Sequence, residues 1–263
     1  MGCKLRHPFF YSDLPVTIET EADLEGLRRV GRIVSLVLQQ MLDKLEPGMM
    51  TSELDAYGAS LLAQHGARSA PQITYKFPGA TCISINEEAA HGIPGARRIQ
   101  AGDVVNVDVS AELDGYFADT GGTSVVPPAS DVALRLCHAT RLALDNALLE
   151  ARDGARLNQI GKAIERVAKQ HRFRIIRNLG SHGVGRALHE EPGHIPGYFD
   201  PKDRRVLRQG MVITIEPFLS TRTTIAEQGS DGWTLFGPPG TRSAQYEHTL
   251  VITRGAPIVV TRH

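Results

Sequence analysis

Asp108 and Asp119 lie within the run Val104-Val-Asn-Val-Asp-Val-Ser-Ala-Glu-Leu-Asp-Gly-Tyr-Phe-Ala-Asp119. Asp114-Gly115 is the kind of pair that favours a type I′ turn, so the run reads as a hairpin. With those two residues at the tip, Asp119 pairs with Ser110 and stands diagonal to Asp108 on the same face. Diagonal neighbours are about 7 to 8 Å apart, close enough for two carboxylates to reach shared metal ions. The alternative is two exposed strand acids, but Asp is a poor strand residue and Asp108 breaks an apolar alternation. His182 and His189 flank a Gly-x-Gly in Gly180-Ser-His-Gly-Val-Gly-Arg-Ala-Leu-His-Glu-Glu-Pro192. Imidazole ligates divalent transition ions and also moves protons near neutral pH. Glu216 follows Met211-Val-Ile-Thr-Ile215, and Glu247 interrupts Tyr246-Glu-His-Thr-Leu-Val-Ile252. A charged Glu in an apolar strand needs an ion-pair partner or a metal. Together the four carboxylates carry the charge that balances two divalent ions. His91, in His91-Gly-Ile-Pro94, reads by itself as a loop imidazole.

The elements that must hold these groups are legible in outline. Apolar residues recur at helical spacing over residues 20–45, with Thr20 and Asp23 as a capping pair and Pro47-Gly48 as a stop. A second helix is expected over 52–65, and the same pair of signals returns over 131–150 and 158–171. The two pairs align with a displacement of about 106 positions, Gly48 on Gly154 and Gln64-His65 on Gln170-His171. That pattern fits either a chance match of two amphipathic helix hairpins or a duplication leaving two α+β halves around one site. Strand signals fall at 82–85, 103–111, 116–126, 212–215 and 245–253. With no Pro/Ser-rich linker, the chain reads as one domain over 1–263. Its halves would span about 20–130 and 131–263, sharing one core, with an N-terminal extension over 1–19.

Composition excludes several classes. Of 263 residues, 41% are hydrophobic and 22% charged, which rules out disordered and collagen-like chains. The 29 basic and 29 acidic residues cancel, so there is no basic excess for nucleic acid. Cys3, Cys82 and Cys137 are odd in number and far apart, fitting neither a disulfide framework nor a CxxC pair. No apolar run is long enough to span a membrane, and no signal peptide is visible. A cytoplasmic protein, monomeric and free of nucleic acid and membrane, is expected.

The ordered set Cys82-Ile-Ser-Ile-Asn86, His91-Gly-Ile-Pro94, Asp108 with Asp119, Ser181-His-Gly-Val-Gly185, His189-Glu-Glu-Pro192, Ile215-Glu-Pro217 and Ser243-Ala-Gln-Tyr-Glu247 closely resembles the methionine aminopeptidases. The resemblance runs from about residue 20 to the C-terminus. It implies the α+β pita-bread fold, two pseudo-symmetric halves with antiparallel sheets covered by helices around a dinuclear metal site. It also implies removal of the initiator methionine from nascent polypeptides with a small second residue, through attack by a water or hydroxide bridging two metal ions. Asp108, Asp119, His182, Glu216 and Glu247 match the metal ligands. Glu216 would double as proton acceptor, His189 would steady the carbonyl oxygen, and His91 would contact the scissile amide nitrogen. Asn86 and Ser243 match positions that help hold a monovalent cation. The two divalent ions, Co, Mn, Fe or Zn, are not distinguished by these ligands. The ribosome is a candidate partner.

With no long insertion between His189 and Glu216, the chain resembles the type I, bacterial-type enzymes. An X-Pro dipeptidase or aminopeptidase P, and a non-catalytic pita-bread binding protein, are the alternatives. The methionine pocket would be lined by Phe77, Cys82, Leu188 and Trp233, with His91 and His189 at its edge. Here the sequence departs from the pattern. Ala70-Pro-Gln-Ile-Thr-Tyr-Lys-Phe-Pro78 has one residue too few between Tyr75 and Phe77, and Leu188 replaces an aromatic before His189.

Overall fold

The computed structural model describes residues 16–262; Cys3 and all but the end of the N-terminal extension lie outside them. Helices α1 (Glu21–Asp43) and α2 (Thr51–Gln64) form one pair, and α4 (Asp131–Leu148) and α5 (Asn158–His171) form the second. A short α3 (Ala70–Tyr75) follows the first pair. The Thr20 hydroxyl accepts from the Asp23 N–H, and the Asp23 carboxylate accepts from the Thr20 N–H, the reciprocal cap that starts α1. Gly48 and Gly154, matched across the repeat, both take a positive φ, 92° and 80°, in the turn leading from the first helix of each pair toward the second. An L side chain would strain that backbone, which is why glycine occupies both turns.

The hairpin folds as Val104–Leu113 and Tyr116–Val125, with Ser110 opposite Asp119 and Asp108 opposite Gly121. Both turn residues have positive φ, 52° at Asp114 and 81° at Gly115, as a type I′ turn requires. Cys82–Ile85 and Arg68–Ser69 pair with the long first strand to complete a four-stranded sheet. A five-stranded sheet in the other half runs Ile258–Val259, His248–Val251, Val212–Ile215, Gly180–Gly183, Glu190–Pro196. All strand pairings are antiparallel.

Strand alternation decides which side chains face the helices. Val105, Val107, Val109 and Ala111 pack beneath α1 with Val30, Val34 and Val37. Asp108 and Ser110 therefore point to the opposite face, into a central cavity. In the second half Ile213, Ile215 and Leu250 join Leu136, Ala143, Ile160 and Ile164 of α4 and α5.

Two expectations need correction. The buried apolar residues form two large clusters, not one shared core, because each helix pair covers its own sheet. Val184, Val212, Val251 and Val260 cross over to the first cluster and interlock the halves. The single strand expected over 245–253 is two, Ser243–Gln245 and His248–Val251, in different sheets. Tyr246 and Glu247 break the ladder because the Tyr246 hydroxyl donates to the Thr123 carbonyl and the Glu247 N–H to the Gly121 carbonyl. His182 lies on the strand Gly180–Gly183.

Candidate active site

The strand Tyr116–Val125 is stitched to the segment 245–249 of the other half. The Asp119 N–H donates to Thr249 Oγ1, whose hydroxyl donates back to the Asp119 carbonyl, and the Thr120 hydroxyl donates to the Glu247 carbonyl. Gly121 permits this approach: a Cβ there would sit 2.1 Å from the Gln245 side-chain oxygen. The stitching places Asp119 beside Glu247. His182 arrives from the Gly180–Gly183 strand, and one ligand atom each of Asp119, His182 and Glu247 lies within 4.8 Å of the others. Glu216, just past the strand Val212–Ile215, places Oε1 3.5 Å from His182 Nε2, and Asp119 Oδ2 is 3.9 Å from the same nitrogen. Asp108 lines the same cavity as Asp119, His182 and Glu216. All five expected ligands are thus gathered in one place.

A common device orients the acids. Two residues before each of three acids stands a polar residue that bonds into the cluster. The Thr214 hydroxyl donates to Glu216 Oε1 at 3.1 Å, and Gln245 Nε2 donates to Glu247 Oε2 at 2.9 Å. Asn106, two before Asp108, donates to Gln245 Oε1 at 2.9 Å. The Ser181 hydroxyl accepts from the Glu216 N–H. Sequence reading assigned no role to Asn106, Ser181 or Thr214. For Asn106 and Thr214 the signal was available as an amide or hydroxyl at i−2 from an acid in an apolar run; Ser181 carries no such signal.

Charge makes the cluster costly without cations. Burial first, then the charges of Asp119 and Glu216, push the Asp108 carboxyl well above the usual range. Burial raises Asp119 to about 6. Glu216 and Glu247 are driven up by burial and by the neighbouring carboxylates, Asp119 foremost. His182 is pushed down to about 3, mainly by burial, so its imidazole is neutral. Its Nδ1 lies 2.9 Å from the Gly183 carbonyl, which fixes the proton there and leaves the Nε2 lone pair toward the carboxylates. Asp119 Oδ1 and Glu247 Oε1 are buried with no hydrogen-bond partner. A buried acceptor in that state costs about 1–3 kcal/mol. Orphaned carboxylate oxygens, mutual repulsion and a neutral imidazole with a free lone pair together fit divalent cations.

Asp108, Asp119, His182 and Glu216 form one wall of a cavity of about 400 Å³. His91, His189, Phe77, Cys82, Leu188 and Trp233 line the same cavity, so every residue expected at the substrate pocket reaches it. Phe77 meets Trp233 edge to face with ring centroids 5.2 Å apart. The departing segment is explained by α3: Tyr75 ends the helix, Lys76 turns with φ 59°, and Phe77 is buried while Tyr75 lies half open at the rim. His189 stacks on His182, centroids 4.1 Å apart. Asn178 and His194, which sequence reading did not single out, also line the cavity.

Asn86 and Ser243 meet beside this centre, where the Ser243 N–H donates to the Asn86 carbonyl at 3.0 Å. The Asn86 side chain is occupied by Asp103 and the Val104 N–H. Ser243 Oγ is buried without a partner, so the oxygens on offer to a cation here are this hydroxyl and main-chain carbonyls.

Two helix-covered halves around a carboxylate–imidazole centre define a pita-bread metallopeptidase. Residues 25–254 match the model of metallopeptidase family M24, and the chain belongs to that family. It is 45% identical over 246 residues to a Bacillus subtilis protein named methionine aminopeptidase 2, covering 93% of this chain and 99% of the relative. The crystal structure of methionine aminopeptidase from Thermotoga maritima superposes with a TM-score of 0.91 at 31% identity, covering 95% of this chain and all of the other. The prolidase from Pyrococcus furiosus has the same fold, with a TM-score of 0.74 at 22% identity, and 66% of its length is matched.

Proposed function

We propose that this chain is a metal-dependent aminopeptidase of the type I, bacterial kind, removing N-terminal methionine from nascent polypeptides whose second residue is small. The observation that carries this reading is the juxtaposition of the buried carboxylate–imidazole cluster with a cavity whose wall includes the apolar group Phe77, Cys82, Leu188 and Trp233. Phe77, Cys82, Leu188 and Trp233 would hold the methionine thioether, which is flexible and polarizable enough to follow an irregular wall. Asp108, Asp119, His182, Glu216 and Glu247 would hold two divalent ions, Co, Mn, Fe or Zn. Such ions, when bound, supply Lewis acidity and a water acidic enough to lose a proton near neutral pH. Glu216 accepts a proton at Oε2, since its Oε1 already accepts from Thr214. His189 donates to the carbonyl oxygen of the scissile bond as negative charge develops on it. His91 contacts the amide nitrogen. Asn86 and Ser243 help hold a monovalent cation.

The chain acts as one domain and as a monomer in the cytoplasm, on N-termini emerging from the ribosome. Among the described residues no helix is long and apolar enough to cross a membrane. Hydrolysis of Met-Gly-Met with added Co²⁺ or Mn²⁺, beside the Asp108→Ala variant, tests the reading. Release of free methionine by the wild type and its loss in the variant is expected. Equal activity in the two proteins would refute the ligand set.

A further inference from the structure

Tyr75 has no part in the roles described above, yet its hydroxyl lies 2.7 Å from His189 Nδ1, with ring centroids 5.5 Å apart. Both sides of this contact are anchored. Tyr75 ends α3, whose first turn is capped by Ser69, and the Ser69 hydroxyl is itself fixed by donation to the Ala80 carbonyl at 2.7 Å. The loop bearing His189 is held by Glu190. Its carboxylate accepts from the Arg186 and Ala187 N–H groups at 3.0 and 3.1 Å and from the Thr17 hydroxyl at 2.6 Å. Tyr75 and His189 are brought together from distant parts of the chain by two fixed segments.

A neutral imidazole carries one proton, and whichever nitrogen lacks it can only accept. If the phenol donates to Nδ1, the proton resides on Nε2 and that nitrogen is a donor. If Nδ1–H donated to the phenol oxygen, Nε2 would present a bare lone pair, which repels a carbonyl oxygen gaining negative charge. We propose that Tyr75 is a positioning residue: its hydroxyl donates to Nδ1 and fixes His189 as the Nε2–H tautomer, ready to donate to the scissile carbonyl oxygen. This role rests on the function of His189 proposed above. It gives the altered segment at residues 70–78 a chemical consequence, because the end of α3 is what delivers the hydroxyl.

The Tyr75→Phe variant keeps the ring at the cavity rim and removes only the hydroxyl. In Co²⁺- or Mn²⁺-loaded enzyme, kcat for Met-Gly-Met should fall about tenfold while KM changes less than about twofold. Introduced into a His189→Ala background, Tyr75→Phe should cost nothing further. Independently of activity, ¹⁵N-histidine NMR of the Zn²⁺-loaded protein, assigned by comparison with His189→Ala, should show Nδ1 unprotonated and Nε2 protonated. In Tyr75→Phe the two nitrogens should shift toward each other as the tautomers mix. A protonated Nδ1 in the wild type, an unchanged spectrum in Tyr75→Phe, or an equal loss of kcat in both backgrounds would overturn the assignment. Full activity in His189→Ala would refute the oxyanion role of His189, and the NMR pattern would still decide whether Tyr75 sets the tautomer.

Discussion

Two acids at the centre, Glu216 and Glu247, accept from a neutral side chain two residues before them. Gln245 is buried, and its amide donates to Glu247 while accepting from Asn106, so it holds one half's ligand against the other half's strand. Removing such a partner leaves the ligand in place but loosely aimed. Gln245→Ala is therefore expected to weaken divalent metal binding by about 10–100-fold, read by calorimetric titration of metal-free protein. Affinity within twofold of wild type would show that Glu247 needs no such support. Of these roles, those of the acids could be argued from charge in an apolar strand. The half of Gln245's role that reaches across the molecule could not, because its second partner, Asn106, is 139 residues away.

At the scale of elements, close approach sets the demands. Gly161 on α5 faces the end of the strand Glu190–Pro196 and the residues just after it, and an added Cβ would lie 2.2 Å from the Tyr198 carbonyl oxygen and 2.6 Å from that of Pro196. Backbone cannot yield as a side chain can. Gly161→Ala should thus lower stability by roughly 1–3 kcal/mol, several degrees in Tm, without removing a single side-chain contact. An unchanged melting temperature would mean that α5 can shift outward freely. The short α3 shapes the cavity wall on which the expected specificity rests. By ending at Tyr75 and turning at Lys76 it sends Phe77, but not Tyr75, into the buried part of the cavity, with Leu188 supplying an aliphatic wall. Selectivity for methionine over leucine or norleucine at the first position is accordingly expected to be looser than in enzymes with the usual aromatic pair. A peptide panel that found a strict methionine preference would contradict this.

At the scale of the whole molecule, zero net charge conceals a concentration of acid between the halves that couples folding to metal and pH. Asp119 is raised from its ordinary 3.8 to about 6, and Asp108, Glu216 and Glu247 move in the same direction. The folded, metal-free protein thus binds protons more tightly than the unfolded chain, and unfolding free energy falls as pH rises from about 4 through about 6. Divalent ions bind only the deprotonated folded site, so their stabilisation grows over the same range. In chelator the wild type should lose more Tm across this window than Asp119→Asn, and added metal should raise its Tm most at the upper end. Parallel profiles for the two proteins would show that the cluster does not govern the pH response. What the sequence by itself determined was everything set by short-range periodicity and turn chemistry. That covers the two helix pairs with their matched glycines, and the Asp114-Gly115 hairpin that put Asp108 and Asp119 on the face away from α1. Its ordered motifs also marked His182, Glu216 and Glu247. Tertiary structure alone decided the two separate cores, the strand at Gly180–Gly183, the break at Tyr246-Glu247 and the meeting of Tyr75 with His189. Those features depend on packing and hydrogen bonds with partners far along the chain, which no local pattern of residues encodes.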